Sequence, residues 1–372
     1  MKIVFDHQIF SLQYTGGISR YFARLIENFI SLGEEVTVLA PLYANHYIAD
    51  LPSPIIQGLP VHYLPPKGSH IVYRLNQWFS RLTVAKYHYD VLHETYYSIT
   101  PTITNVTARV ITIHDMIPEQ FPHFFKPHSQ IWQRKQAAIR RADHIICVSH
   151  KTKADLCDIC GISQEKLTVV YLGVDTSLAY EKDAPIPIVH DRPFLLYVGK
   201  RSGYKNFSGL LKAIATSAAL RNTLDVIAFG GGPFTRAEWQ LIQQLGLDGQ
   251  RIRQVSGGDV LLAKYYRAAA AFIYPSLYEG FGLPPLEAML NDCPVVVSNR
   301  GAIPEIVGPA GEYFDPDDPD AIAKAIIRAI FDQTRRTELI AAGRQRVAQF
   351  SWRRCAEQTR DVYQQVLKQN QC

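Results

Sequence analysis

Residues 278–288 read Tyr-Glu-Gly-Phe-Gly-Leu-Pro-Pro-Leu-Glu-Ala and follow a short apolar run at positions 271–274. Two glycines, Gly280 and Gly282, permit a tight turn and a close approach of the backbone to a ligand. A helix is predicted to begin near Leu283, because proline is favoured in a first helical turn. The free N–H groups and positive dipole end of that helix would face a sheet edge, where a phosphate group would bind.

Two glutamates of this stretch, Glu279 and Glu287, are candidates for ligand contact. Glu279 lies just before the turn, and Glu287 lies about one turn into the predicted helix. If they are ordinary features of the helix, Glu279 is a partner of the helix dipole and Glu287 is a surface charge. The strand–turn–helix setting favours contact with a ligand instead.

Outward from this stretch, strand-like apolar runs alternate with amphipathic helical segments along most of the chain. The runs of the first half are Lys2–Phe5, Val36–Leu39, Val61–Tyr63, Val91–His93, Val110–His114, His144–Val148 and Thr168–Leu172. The runs of the second half are Phe194–Val198, Leu224–Phe229, Ile252–Val255, Ala271–Tyr274 and Val295–Ser298. Short buried runs between helices indicate an α/β fold with parallel sheets covered on both faces.

The charged, proline-rich stretch Ser177–Pro193 separates the two halves, as a linker would. After Phe314 the sheet pattern stops, and helices follow. We therefore predict two Rossmann-like, doubly wound domains, at residues 1–178 and 190–350. Ligands of such sheets bind at the carboxyl ends of the strands, so a central cleft between the domains is the expected site.

Composition excludes several classes of protein. The chain has 372 residues, of which 47 % are hydrophobic and 11 % aromatic, so it is not a largely disordered chain. Its net charge of +5 (39 basic minus 34 acidic residues) is too dilute to indicate nucleic-acid binding. The N-terminus reads as a first strand, and no apolar run is long enough to span a membrane. The cytoplasm is therefore the expected compartment.

Two motifs that bind metals elsewhere are read here as structural. Cys157 and Cys160 form a single Cys-x-x-Cys on a helical segment, with no second pair to complete a zinc site. Asp315-Pro316-Asp317-Asp318 contains an Asp-x-Asp pattern, but it lies in a loop before a helix that Asp318 would cap. The sequence therefore predicts no metal site.

The pair Glu279 and Glu287 resembles the Glu-x7-Glu signature of retaining glycosyltransferases of the GT-B fold, specifically glycosyltransferase family 4. Other segments in the same order resemble that family: Thr15-Gly16-Gly17-Ile18, Ile113-His114-Asp115, Cys147-Val148-Ser149, Gly173-Val174-Asp175, Gly199-Lys200-Arg201 with Lys205-Asn206, Pro304–Gly308 and Phe314-Asp315-Pro316. The resemblance covers most of the chain. It also implies that the last segment, residues 351–372, is a helix that packs back on the N-terminal domain.

In this family a nucleotide-sugar donor is held mainly by the second domain and an acceptor mainly by the first. The resemblance implies that Glu279 contacts hydroxyls of the donor sugar and that Glu287 contacts the ribose. Backbone N–H groups of residues 280–283, that is Gly280, Phe281, Gly282 and Leu283, would bind the sugar or the diphosphate. No separate cofactor is implied.

The resemblance also assigns cations and a histidine. Arg201 and Lys205 follow the run Phe194–Val198 and would stabilise the leaving diphosphate without a metal. The family often has Arg directly before this Lys, whereas this chain has Tyr204, and Lys200 competes with Arg201 for the role of second cation. His114 would contact the donor sugar and help to position the reaction.

Two loops of the first half complete the predicted sites. Gly16 and Gly17 would bring backbone donors to the phosphate or the acceptor, although an ordinary strand–helix turn explains them as well. The aromatic, mildly basic stretch Phe121–His128 is compatible equally with a packed loop and with contact to a lipid-linked acceptor or the membrane interface.

The resulting prediction is a retaining, metal-independent glycosyltransferase that moves a sugar from a nucleoside diphosphate to a hydroxyl of a glycan or lipid-linked acceptor. The segment Ile113–Pro118 resembles mannosyltransferase-like members of surface polysaccharide synthesis, which favours GDP-mannose as donor. A lipid-linked acceptor would bring the enzyme to the inner face of the membrane. Two alternatives stay open: a catalytically silent nucleotide-sugar-binding scaffold, and another GT-B enzyme such as a sugar-nucleotide epimerase or a phosphorylase.

Overall fold

The computed structural model describes residues 1–52, 54–61, 69–84, 87–125, 130–179 and 191–371. Within them the strands are β1 (Lys2–Asp6), β2 (Glu35–Tyr43), β3 (Ile56–Pro60), β4 (Tyr89–Glu94), β5 (Val106–Ile113), β6 (His144–Cys147), β7 (Leu167–Val169), β8 (Phe194–Val198), β9 (Asp225–Phe229), β10 (Ile252–Val255), β11 (Ala271–Tyr274), β12 (Val295–Ser298) and β13 (Gly311–Phe314). Every pairing between these strands is parallel.

The α-helices of the described residues are α1 (Gln8–Leu12), α2 (Gly17–Ser31), α3 (His46–Ala49), α4 (Ser69–Val84), α5 (Ile117–Gln120), α6 (Ile131–Arg141), α7 (His150–Cys160), α8 (Phe207–Thr216), α9 (Ala218–Thr223), α10 (Arg236–Gln244), α11 (Asp259–Ala268), α12 (Leu283–Leu290), α13 (Ile303–Val307), α14 (Pro319–Phe331), α15 (Gln333–Val347) and α16 (Trp352–Gln371). None of them is long and apolar enough to cross a membrane.

The chain divides into two compact units, one formed by Met1–Gly173 with Trp352–Cys372 and the other by Val174–Ser351. The first contains a seven-stranded sheet in the order β3-β2-β1-β4-β5-β6-β7, and the second a six-stranded sheet in the order β10-β9-β8-β11-β12-β13. Each is a doubly wound parallel sheet with helical crossovers, so the predicted Rossmann-like α/β class is confirmed. Residues 180–190, which include the centre of the predicted linker and the boundary at 190, lie outside the described residues.

Each sheet is held by a buried layer of aliphatic and aromatic side chains. In the second unit this layer joins β8, β9 and β11 to α8 and α14, with Leu195, Leu210 and Ile326 fully buried. In the first unit, Ile111 and Ile145 pack against α6 and α7. Burial on both faces explains why these strands read as continuous apolar runs rather than as alternating patterns.

The C-terminal helix α16 packs on α2 and β5 of the first unit. Tyr363 on α16 is fully buried, and its hydroxyl lies 2.5 Å from Nδ1 of His93 on β4. Nε2 of His93 lies 2.8 Å from the Thr112 hydroxyl on β5, which in turn contacts the Tyr21 hydroxyl on α2 at 3.1 Å. A buried chain of hydrogen bonds therefore ties α16 to the sheet and to α2.

Two edge strands, β3 and β13, lie where the sequence did not predict a strand. The predicted run Val61–Tyr63 falls mostly outside the described residues, which omit 62–68, and β3 lies just before it, at Ile56–Pro60. The strand β3 was missed because glycine and proline, at positions 58 and 60, are typical of loops. Glycine is required at position 58, because a Cβ there would lie 1.7 Å from the Ala40 carbonyl oxygen of the neighbouring strand. The short strand β13 was not predicted, because Gly311–Phe314 has no apolar run of its own.

Candidate active site

The turn from β11 to α12 has the conformation that the sequence predicts. Gly282 caps the helix with a φ of +110°, a left-handed conformation that favours glycine. Helix α12 begins at Leu283, and Pro284 and Pro285 lie in its first turn. Because the two prolines carry no N–H, the backbone donors at this N-terminus come from Gly282 and Leu283, which together with the helix dipole make it a suitable place for an anion.

Glu279 and Lys205 form an ion pair at the carboxyl ends of neighbouring strands. Nζ of Lys205 lies 2.6 Å from Oε1 of Glu279 and 3.3 Å from the hydroxyl of Tyr274. The rings of Tyr204 and Tyr274 lie 5.3 and 5.2 Å from the same ammonium group, within the range of cation–π contacts. The structure thus brings together two of the predicted residues, and Tyr274 joins them.

Tyr274 is 2 % exposed, and sequence reasoning did not identify it as part of the site. Burial, and to a smaller degree the Glu279 carboxylate, raises the pKa of Tyr274 well above its usual value, so the hydroxyl remains protonated. The sequence could have indicated Tyr274 through its position as the last residue of a predicted strand, because ligands of this class of sheet bind at the carboxyl ends of the strands.

The backbone of Glu279 is fixed by a neighbouring glycine. Gly301 follows β12 with a φ of +62°, and a Cβ there would lie 2.7 Å from the Glu279 nitrogen and 2.8 Å from its oxygen. Beside it, the Ala302 N–H donates to the Glu279 carbonyl at 3.0 Å. Gly301 therefore supports Glu279 from the next strand, a relationship that the sequence did not reveal.

Glu287 is buried on α12 rather than exposed as a surface charge. It is 8 % exposed, and the Tyr266 hydroxyl donates to its Oε2 at 3.2 Å. Asn291 donates to the backbone carbonyl of Glu287 at 2.8 Å. A carboxylate oriented in this way can accept hydrogen bonds from a ligand hydroxyl.

Arg201 is held by contacts within the second unit. Its guanidinium donates to Glu238 at 2.7 Å and to the carbonyls of Gly230, Gly232 and Pro233 at 2.9–3.0 Å. These contacts fix residues 230–232, three consecutive glycines with positive φ directly after β9. Contact between Arg201 and a diphosphate stays a prediction, while the neighbouring Lys200 is exposed.

In the first unit, His114 lies directly after β5. Its ring packs edge-on against Tyr21, with the ring centroids 5.2 Å apart. Nε2 is buried and has no hydrogen-bond partner among the described residues. Burial lowers the pKa of His114 to about 4, against a smaller opposing effect of Asp115, so the imidazole is neutral near pH 7. A neutral imidazole with an unused nitrogen can exchange a hydrogen bond with a sugar hydroxyl.

A buried ion pair supports the loop that carries His114. Lys135 on α6 is 1 % exposed, pairs with Glu119 at 2.9 Å and donates to the Asp115 carbonyl at 3.0 Å. The Asp115 carboxylate accepts from the Ile117 N–H at 3.1 Å. Asp115 thus organises its own loop.

Gly16 and Gly17 lie at the start of α2. Gly16 is the residue before the helix, and its carbonyl accepts from the Arg20 N–H at 2.9 Å and from the Ser19 hydroxyl at 3.1 Å. A Cβ at Gly16 would meet the amide of Gln13 at 2.3 Å. The connection is not the strand–helix turn that the sequence suggested, because α1 (Gln8–Leu12) lies between β1 and α2, and the two glycines join one helix to the next. Binding of a ligand there stays a prediction.

The remaining candidate segments have local explanations. Asp315 and Asp317 both pair with Arg300, at 2.9 and 3.3 Å, and Asp318 caps α14. Cys157 and Cys160 are free thiols on α7. Across the described ranges, no group of three or more His, Cys, Asp or Glu side chains is placed to hold a metal ion.

Part of the aromatic stretch Phe121–His128 falls outside the described residues, which omit positions 126–129. Its described part is a short 3₁₀ turn, Pro122–Phe124. The rings of Phe121 and Phe124 stack there with centroids 6.0 Å apart. Both interpretations of this stretch stay predictions.

Comparison with known proteins identifies the family. Residues 15–178 match the family model described as Glycosyltransferase Family 4, and residues 180–346 match that of Glycosyl transferases group 1. The chain is 30 % identical to the O-antigen chain mannosyltransferase B of Escherichia coli over 267 residues, which cover 68 % of this chain and 69 % of that protein. It is 32 % identical to the MMP alpha-(1->4)-mannosyltransferase of Mycolicibacterium hassiacum over 254 residues, 65 % of this chain and 60 % of that protein.

Solved structures support the fold. Sucrose-phosphate synthase from Thermosynechococcus elongatus superposes with a TM-score of 0.76 at 23 % identity, over 99 % of this chain and 100 % of that one. Anabaena HepE in complex with UDP-glucose superposes with a TM-score of 0.74 at 19 % identity, over 98 % and 100 % of the two chains. With the family models and the mannosyltransferase relatives, these findings establish that the chain is a glycosyltransferase of family 4 with the GT-B fold.

Proposed function

We propose that the enzyme transfers a sugar from a nucleoside-diphosphate sugar to an acceptor hydroxyl, with retention of anomeric configuration and without a metal ion. The observation that carries this proposal is the Lys205–Glu279 ion pair at 2.6 Å, beside the N-terminus of α12. A fixed cation, a buried carboxylate and backbone N–H groups are the groups that a diphosphate and a hydroxylated sugar require.

The proposed roles follow from the chemistry of these groups. When the donor binds, the ammonium group of Lys205 leaves Glu279 and pairs with the diphosphate instead. It then compensates the negative charge that develops on the diphosphate as the sugar departs. Glu279, freed from the ammonium, accepts hydrogen bonds from the donor sugar. The N–H groups of residues 280–283, at Gly280, Phe281, Gly282 and Leu283, add donors for the sugar or the diphosphate, and Glu287 accepts from the ribose.

Retention is proposed to occur by attack on the same face of the sugar that the leaving group departs from. The departing phosphate then takes the proton of the acceptor hydroxyl, so no protein base is required. On this view the protein mainly positions the reactants and stabilises the diphosphate. The neutral imidazole of His114 contacts the donor sugar, and Gly16 and Gly17 contact the phosphate or the acceptor.

GDP-mannose is the donor we propose, because several relatives are named as mannosyltransferases, including the O-antigen chain mannosyltransferase RfbU of Salmonella typhimurium, which is 26 % identical. UDP-glucose is the second candidate, because HepE, a structural neighbour, is bound to it. The acceptor is proposed to be a growing surface glycan, free or lipid-linked, and the enzyme to act at the inner face of the membrane.

The test is turnover of a panel of nucleotide sugars, with release of nucleoside diphosphate measured with and without acceptor. We expect one donor to be consumed, the product to retain configuration, and the rate to be unchanged by EDTA. A ligand at 100 times its Kd should also stabilise the protein by about 2.7 kcal/mol in a thermal-shift assay. Binding without turnover would identify a silent scaffold, and conversion of the donor without transfer would identify an epimerase.

A further inference from the structure

Among the described side chains of helix α4, two polar ones are buried and three large apolar ones are exposed. Asn76 and Ser80 are fully buried, whereas Trp78, Phe79 and Leu75 are 57 %, 42 % and 41 % exposed. A surface helix normally buries its apolar side chains and exposes its polar ones. The rings of Trp78 and Phe79 lie edge to face, with centroids 4.9 Å apart, and form one aromatic surface.

The described inner face of α4 is attached by the hydrogen bonds of Asn76 and by the ring of Tyr73, which packs edge-on against His7 with the centroids 5.3 Å apart. The Asn76 side-chain amide accepts from the Leu42 N–H and donates to the Leu42 carbonyl, both at 2.7 Å. It also donates to the Ser11 hydroxyl on α1 at 2.7 Å. The exposed aromatic side chains are therefore not needed to hold α4 on the sheet, and their exposure calls for another explanation.

The sequence around α4 is basic. Residues 51–89 contain Lys67, Arg74, Arg81 and Lys86 and no acidic residue, so this stretch carries +4 of the net +5 of the chain. Arg74 is exposed and lies one helical turn before Trp78. Tryptophan, phenylalanine and leucine on one side of a helix that carries arginine and no acid are typical of helices that lie in a membrane interface.

We propose that the face of α4 formed by Arg74, Leu75, Trp78 and Phe79, here called the α4 face, docks on an anionic lipid bilayer. The two aromatic rings and Leu75 enter the interfacial region, and the basic side chains attract the anionic headgroups. The excess positive charge favours an anionic membrane as the partner of the α4 face. A second copy of this chain is disfavoured, because two positively charged α4 faces would repel each other.

The α4 face deepens the proposed function, since docking would bring the acceptor-side unit to a lipid-linked acceptor. It also stands apart from the transfer chemistry, because the described residues of α4 include none of the residues assigned to donor binding. Docking and transfer can therefore be measured separately.

The experiment is co-sedimentation of the full chain with vesicles of phosphatidylcholine alone or mixed with phosphatidylglycerol. We expect binding to the anionic vesicles that weakens with salt. The double variant Trp78→Ser/Phe79→Ser should lose it, while Val260→Ser/Phe331→Ser, which removes exposed apolar side chains of the second unit, should keep it. Arg74→Gln should weaken binding about fivefold, because one basic side chain near an anionic membrane contributes roughly 1 kcal/mol and that free energy corresponds to about a fivefold change in affinity.

Equal binding by wild type and Trp78→Ser/Phe79→Ser, or no binding to anionic vesicles, would overturn the proposal. A homodimer in light scattering that dissociates in this variant, with no vesicle binding, would assign the α4 face to a second copy instead. Turnover of donor with a water-soluble acceptor should be unchanged in the variant. If turnover is absent in the wild type while vesicle binding persists, the proposed function fails and the docking proposal stands.

Discussion

Lys205 and Glu279 neutralise each other, with Nζ and Oε1 2.6 Å apart and the glutamate only 7 % exposed. In the proposed function, a donor replaces one partner of each group and leaves neither charge uncompensated. The ion pair would then keep the two side chains ordered before the donor binds and so lower the entropy that binding costs.

Replacing Glu279 by Gln should lower kcat about 100-fold or more, because a neutral amide is a weaker acceptor than a carboxylate for the donor-sugar hydroxyls that Glu279 is proposed to hold. Replacing Lys205 by Ala should raise the donor KM and lower kcat, because it removes the cation proposed for the diphosphate and leaves Glu279 unpaired. Steady-state kinetics with the cognate donor measure both effects. Lys212→Ala, at an exposed position of α8, is the matched control. Near-normal rates in Glu279→Gln would remove Glu279 from the mechanism.

Gly301→Ala should reduce transfer although residue 301 is assigned no contact with substrate. The φ of +62° costs a non-glycine residue at least about 1 kcal/mol, and the added Cβ would press on the Glu279 backbone. We expect a lower kcat together with a lower thermal midpoint. Gly258→Ala is the comparison, because a Cβ there meets no atom within 4 Å. Equal activity of the two variants would show that Glu279 does not depend on Gly301.

The features that the sequence predicted correctly are those that depend on residues close together in the chain. Apolar runs between helices gave the two parallel sheets, and the glycines and prolines of 280–285 gave the turn and the start of α12. It did not predict the contacts made across strands. Tyr274 joins Lys205 to Glu279 from β11, and Gly301 supports Glu279 from the loop after β12.

Charge alone could not distinguish the two cations of the basic loop. Arg201 and Lys205 both follow β8, and both were assigned to the diphosphate. The carbonyls of residues 230–233 that hold Arg201 come from a loop 29 to 32 residues further along the chain. Such a long-range partner set becomes visible only once β8 and β9 are paired.

Arg201→Ala should destabilise the second unit by about 3 kcal/mol, because it leaves Glu238 and the carbonyls of the glycine loop without their donor. A charge-conserving variant, Arg201→Lys, should recover only part of this loss, since an ammonium group cannot reproduce the planar fork of donors. Urea unfolding measures both free energies. If Arg201→Ala unfolds like the wild type yet binds donor far more weakly, Arg201 is a diphosphate ligand rather than a support of the loop.

Three histidines of the first unit, whose pKa values are strongly lowered, should make its stability depend on pH. Burial lowers the pKa of His7 to about 4, of His93 to about 3 and of His114 to about 4, from 6.5. Because the folded pKa values are lower, the unfolded chain binds more protons between about pH 6.5 and 4. Stability is therefore complete above pH 6.5 and falls as the pH is lowered.

At pH 5 the expected loss is about 2 kcal/mol for each histidine relative to high pH. Urea unfolding of the enzyme at pH 7 and pH 5 measures it. His7→Asn should remove about one of the three contributions, whereas His88→Asn, at an exposed side chain, should leave the difference unchanged. A free energy of unfolding equal at the two pH values would mean that these imidazoles are open to water, and the neutral role proposed for His114 would then lose its basis.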